Sequence, residues 1–139
     1  MPVRDIYHET VKHALETAGW RITHDPLVLE IGEKRLYADL GANRLLSADK
    51  GDAKIAVEIK SFLGHSDVKD LEQAFGQFMI YAKILAKQES ERCLYLAVTE
   101  TVFAGIFSQE LGRLLLEDPL FRILVFNVEQ EAITRWIPA

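Results

Sequence analysis

Two hydrophobic periods divide the chain. From Asp5 to Ala18, Tyr7, Val11, Leu15 and Ala18 recur at helical spacing, and Gly19 supplies a stop. Trp20–His24 then reads as a short strand, broken at Asp25-Pro26. Leu27–Ile31 and Lys34–Leu40 read as two strands joined at Gly32. Arg44–Asp49 and Ala53–Ser61 flank Asp49-Lys-Gly-Asp52, a hairpin signal with Lys50-Gly51 at its tip. A long helix opens at Asp67 and runs to about Lys87, with Val68, Leu71, Phe75, Phe78, Met79, Ala82 and Leu85 on one stripe. Glu91–Val98 is a buried-looking strand. Thr101–Leu116 is helical with an interruption around Ser108–Gly112, Pro119 stops it, and Phe121–Phe126 and Ala132–Ile137 close the order as strands. Antiparallel strands followed by a strand–helix–strand crossover predict an α/β fold, one mixed sheet flanked by helices.

Composition adds bounds. The 139 residues fit one domain spanning 1–139, with 49 % hydrophobic and 27 % charged residues. The lone Cys93 permits no internal disulfide and suits a reducing compartment. No apolar run approaches a membrane span or a leader at the N-terminus, so a cytoplasmic location without membrane contact is expected. The net charge of −5 falls mostly on residues 61–139, where seven Lys/Arg face eleven Asp/Glu. Sequence-independent grip on nucleic acid is therefore not expected of the chain as a whole; DNA contact would need a local basic face.

Several familiar chemistries fail on spacing. His8-Glu9 begins like a zinc-protease helix, but Lys12 stands where the second histidine belongs. Gly64-His-Ser66 lacks the second glycine of a nucleophile elbow, and no glycine-rich phosphate loop occurs. What remains is Asp39 and the triplet Glu58-Ile-Lys60. On a strand, Glu58 and Lys60 share one face with Lys54 and Ala56, while Ile55, Val57 and Ile59 take the other. Asp39 and Glu58 are candidate ligands for Mg²⁺ or Mn²⁺, with Lys60 positioned to activate water or clamp phosphate. Acid-x-Lys triplets are cheap, since Asp52-Ala-Lys54 and Asp67-Val-Lys69 also occur. Only the Glu58 triplet sits in a β-patterned run. The next helix adds Gln73, Gln77 and Tyr81 on one polar stripe, and Asp5, Glu9 and Glu16 on the first helix offer an extra acid. One expectation runs against the site. A two-residue turn at Lys50-Gly51 puts Glu58 opposite Asn43 and leaves Asp39 four residues away, roughly 13 Å at strand rise. Trp20 and Trp136 are assigned to packing rather than to stacking bases.

Arg4-Asp-Ile-Tyr-His8, Gly19-Trp-Arg-Ile-Thr-His-Asp-Pro26, Asp39-Leu-Gly-Ala42, Lys54–Phe62, Asp70-Leu-Glu-Gln-Ala74, Gly76-Gln77 and Arg135-Trp-Ile-Pro138 together resemble the XisH family, the fdxN element excision controlling factors of cyanobacteria. That resemblance implies a restriction-endonuclease-like fold of the PD-(D/E)xK kind. It also implies an accessory role in a developmental DNA excision carried out by a separate recombinase during heterocyst formation, with an XisI-like companion protein. Its nuclease pattern falls on Asp39, Glu58 and Lys60, with Gln77 and Tyr81 in support. Ala38 departs from the proline of the motif, and Asn43 stands where the resemblance implies an acid. Two functions follow: a metal-dependent DNA phosphodiesterase, or a catalytically inactive regulatory module using the nuclease fold as a scaffold for its partners. Self-association suits either.

Overall fold

The computed structural model describes residues 4–47 and 51–138, with the side chains of 45–47 and 51–52 outside the description. The hairpin tip assigned to Lys50-Gly51 therefore falls partly outside the described residues. Helix α1 (His8–Thr17) begins three residues later than the apolar stripe suggests. Asp5 holds the preceding turn, its Oδ1 accepting the Tyr7 N–H at 2.9 Å and its carbonyl the His8 N–H at 3.0 Å. Gly19 leaves the helix at φ 94°, a left-handed conformation that favours glycine.

Strand β1 (Arg21–His24) follows, then β2 (Leu27–Ile31) and β3 (Lys34–Ala38), β4 (Leu40–Ser47) and β5 (Gly51–Ile59). Helix α2 (Asp67–Gln88) leads to β6 (Arg92–Thr99). A broken helical segment comes next, α3 (Glu100–Ala104), a 3₁₀ turn (Ile106–Ser108) and α4 (Glu110–Leu116), before β7 (Ile123–Asn127) and β8 (Ala132–Ile137). The helical break falls at Gly105–Gln109, ahead of the expected Ser108–Gly112. Gly112 lies inside α4, buried against the 3₁₀ turn.

The main sheet has the order β1-β4-β5-β6-β7-β8. β5, β6 and β7 are parallel neighbours, while β1, β4 and β8 join antiparallel, so the sheet is mixed as expected. The single-sheet expectation needs one correction: β2 and β3 form a separate two-stranded hairpin, turned at Gly32 with φ 57°.

Both faces of the main sheet are covered, which explains the alternation along β5. Ile55, Val57 and Ile59 meet Val11 and Leu15 of α1, together with Leu40, Ala42, Leu124 and Phe126. Ala56 faces Leu71, Ala74, Phe78, Ala82 and Leu85 of α2, with Leu94, Leu96, Val98 and Val125. Phe78 is fully buried and meets the Phe121 ring edge-on at 5.1 Å. Removing a ring of that size from water contributes about 2–3 kcal/mol. α2 starts sharply because Ser66 accepts the Lys69 N–H at 3.2 Å, with Asp67 and Asp70 in the first turn favouring the helix dipole. Val68 departs from the predicted stripe and is exposed. Trp20 and Trp136 are half-buried, with ring centres 5.9 Å apart. Among the described residues no helix is long and apolar enough to cross a membrane.

Candidate functional site

The site forms where the chain leaves the hairpin for the main sheet. β3 ends at Ala38 and β4 starts at Leu40, so Asp39 is the crossover residue between two sheets, not a residue within one strand. Leu40 pairs with Val57, Gly41 with Ala56 and Asn43 with Lys54. The next pair outward brings Asp39 opposite Glu58. The expected separation of the two acids is thus overturned, and no bulge at Gly41–Asn43 is needed. The connection between the paired Ser47 and Gly51 is residues 48–50, nearer the N-terminus than the expected Lys50-Gly51 tip, and an irregularity between Leu45 and Ser47 shifts the register by one more residue.

The two acids interlock. The Asp39 N–H donates to Glu58 Oε1 at 3.2 Å, and the Ile59 N–H donates to Asp39 Oδ2 at 2.7 Å. Glu58 is 7 % exposed. Burial first, then the neighbouring Asp39 charge, pushes the Glu58 carboxyl up to about 9, and burial also raises Asp39. At neutral pH the Glu58 carboxyl therefore favours its protonated form.

A cavity of about 420 Å³ opens over this pair. Lys60, Gln77 and Tyr81, all expected from sequence, line it alongside Asp39 and Glu58. Lys60 Nζ donates to Gln73 Oε1 at 3.5 Å, and Gln77 Nε2 donates to the Tyr81 hydroxyl at 3.0 Å. Tyr81 is buried, which raises its phenol. Of the three acids on or before the first helix, only Asp5 reaches the cavity, and both its oxygens accept backbone N–H groups: Tyr7 at 2.9 Å and Ser61 at 2.9 Å. It clamps the backbone just after Lys60. Glu9 pairs instead with Arg4 at 3.2 Å, and Asn43 stands opposite Lys54, away from the cavity lining.

Sequence reasoning missed Arg4, Arg35 and Tyr37, which also line the cavity. Arg35 and Tyr37 arrive on β3, and only the placement of the hairpin brings them there. Their spacing of two gave a local sign that they share a strand face.

Two carboxylates are enough for Mg²⁺ when water and a substrate phosphate complete its octahedron. Asp39 and Glu58 fit that minimal donor set once Glu58 gives up its proton. Among the described residues no cluster of three or more His, Cys, Asp or Glu side chains is placed to hold a metal.

A mixed sheet covered by helices on both faces, with an acidic pair and a lysine in a cavity at a strand crossover, defines the class of protein. The family model described as XisH protein matches residues 1–134, and the chain belongs to that family. Two crystal structures are similar along nearly their whole length. An XisH family protein from Nostoc punctiforme is 38 % identical with a TM-score of 0.85, covering 95 % of this chain and 98 % of that one. A fdxN element excision controlling factor protein from Anabaena variabilis is 41 % identical with a TM-score of 0.86, covering 96 % and 99 %. No curated protein matches the chain.

Proposed function

We propose that this chain is an excision controlling factor that takes part in a DNA rearrangement without cutting DNA itself. The observation that carries this reading is the interlocked pair. Glu58 is 7 % exposed, an oxygen of each acid is already engaged by a backbone N–H, and among the described residues no third His, Cys, Asp or Glu joins the pair in a metal-holding cluster. In this reading the restriction-endonuclease-like arrangement serves as a scaffold for an XisI-like companion or a site-specific recombinase.

A second reading, a metal-dependent DNA phosphodiesterase, is favoured by one arrangement: Asp39, Glu58 and Lys60 share a cavity with Gln77 and Tyr81. There Asp39 and Glu58 would hold Mg²⁺ or Mn²⁺, and Lys60 would orient water or offset charge on phosphate. The bound ion supplies Lewis-acid polarisation of the phosphoryl oxygens.

The deciding experiment incubates purified protein, alone and with its companion, with linear and branched DNA in Mg²⁺ or Mn²⁺. Folded Lys60→Ala and Glu58→Gln proteins run beside it, and the same proteins enter an excision assay with the recombinase. The control-factor reading expects no cleavage in any arm while the wild-type protein supports excision. Cleavage by the wild type and by neither variant establishes the nuclease instead.

A further inference from the structure

The cavity carries more positive charge than the acidic chain around it suggests. Arg4, Arg35 and Lys60 line it from three separate places: the segment before α1, strand β3 and the end of β5. Against these three cations stand three acids that are turned inward: both oxygens of Asp5 accept backbone N–H groups, and Asp39 and Glu58 each accept one. The cations are thus the outward charges of the cavity, in a molecule whose net charge is −5. Neither arginine is tightly held. Arg35 meets Glu30 at 3.4 Å with both side chains at least 60 % exposed, and Arg4 meets Glu9 at 3.2 Å and Asp25 at 3.5 Å while itself 56 % exposed. Surface pairs of this kind contribute little, so both guanidinium groups can turn toward an incoming anion at small cost.

The lining also has flat, apolar parts. Tyr37 and Leu36 come from the hairpin, and Tyr81 from α2. A volume of about 420 Å³ matches one nucleotide drawn out of a stack rather than a base pair. Cations for the backbone beside aromatic rings for a base are the parts of a single-strand site.

We propose that this cavity binds single-stranded DNA, with Arg4, Arg35 and Lys60 on successive phosphates and one base against Tyr37. The choice of DNA rests on the excision-control reading; the anionic strand site rests on the cavity itself. Neither depends on cleavage, so the strand binds with or without a divalent ion.

The test is fluorescence anisotropy of a labelled twelve-nucleotide DNA strand, its duplex and the RNA of the same sequence. Titrations run in EDTA with the full chain, with Arg35→Ala, Arg35→Lys and Lys60→Ala. Thermal melts confirm that each variant folds. The proposal expects the single strand to bind at least about tenfold more tightly than the duplex, a gap worth 1.4 kcal/mol. It expects Arg35→Ala and Lys60→Ala each to weaken binding several-fold, Arg35→Lys to retain part of it, and added salt to weaken binding steeply. Equal affinity for duplex, or an Arg35→Ala protein that binds like the wild type, overturns the strand site. Tighter binding of the RNA overturns the assignment to DNA. Excision assays report separately. Loss of strand binding with excision intact retains the control-factor role and removes this cavity from it. Excision failing in every arm while Arg35-dependent strand binding persists counts against the role and not against the site.

Discussion

Replacing Glu58 with glutamine tests the physical claim on which the site rests. Glutamine keeps the shape, keeps an oxygen to accept the Asp39 N–H, and offers an amide N–H to the Asp39 carboxylate. It removes the titration. In the folded wild type Glu58 holds its proton up to about 9, whereas in the unfolded chain a glutamate releases it near 4.5. Between those values the folded state binds the extra proton, so wild-type stability falls as pH rises. The limiting slope is about 1.4 kcal/mol per pH unit, which sets a ceiling of about 4 kcal/mol between pH 5 and pH 8. Water entry and local rearrangement around the ionised pair reduce this to about 1–3 kcal/mol. At about 3 °C per kcal/mol for a chain of this size, Glu58→Gln should melt roughly 3–10 °C above the wild type at pH 8. Near pH 5 the two should melt close together. The assay is urea or thermal unfolding in EDTA at half-unit steps from pH 5 to pH 9, read as the difference between variant and wild type so that other titrations cancel. A difference that stays flat across this window would refute the protonated pair.

Two other substitutions probe how the frame holds the site. A Cβ on Gly112 would run into the Ile106 carbonyl oxygen and lie 2.6 Å from Phe107 Cα, so Gly112→Ala should cost about 3 kcal/mol in urea unfolding and loosen α4 from the 3₁₀ turn. Arg92, buried at the start of β6, donates to Glu89 at 2.8 and 3.1 Å and to the Ile55 carbonyl at 2.9 Å. Arg92→Met should cost about 2–4 kcal/mol at neutral pH. Because the Arg92 hydrogen bonds hold Glu89 below its usual range, that loss should shrink as acid protonates Glu89.

The parts of this fold that were legible were those set by local period. The alternation of β5 named both of its faces, because residues 55, 57 and 59 must be apolar where a helix covers them. Ser66 and the acids after it marked the start of α2 to within a residue. The register of β4 against β5 was not legible. Sliding the pair by four residues leaves every apolar side chain on its own face, so hydrophobic matching cannot separate Asn43 from Asp39 as the neighbour of Glu58. Only the position of the turn and the irregularity between Leu45 and Ser47 decide that, and the Lys50-Gly51 signal set the turn too far along the chain. Arg35 and Tyr37 were hidden for another reason: a hairpin outside the main sheet can dock in several places, and nothing local fixes which.

The pair at the crossover also constrains how the two functional readings relate. Asp39 and Glu58 would hold an ion only with the Glu58 proton displaced, a cost that falls as pH approaches about 9. Metal affinity should therefore rise as pH rises, while the ionised pair offsets more of the positive charge that Arg4, Arg35 and Lys60 provide. Without the ion, a strand meets three cations beside an acidic pair held by backbone N–H groups. Under the phosphodiesterase reading, Asp39 and Glu58 would hold the ion, which would supply two further positive charges beside Lys60. Under the control-factor reading, strand binding in EDTA is all the cavity provides. Strand affinity that stays the same between EDTA and Mg²⁺ at neutral pH therefore supports the control-factor reading, and affinity that rises with Mg²⁺ counts against it.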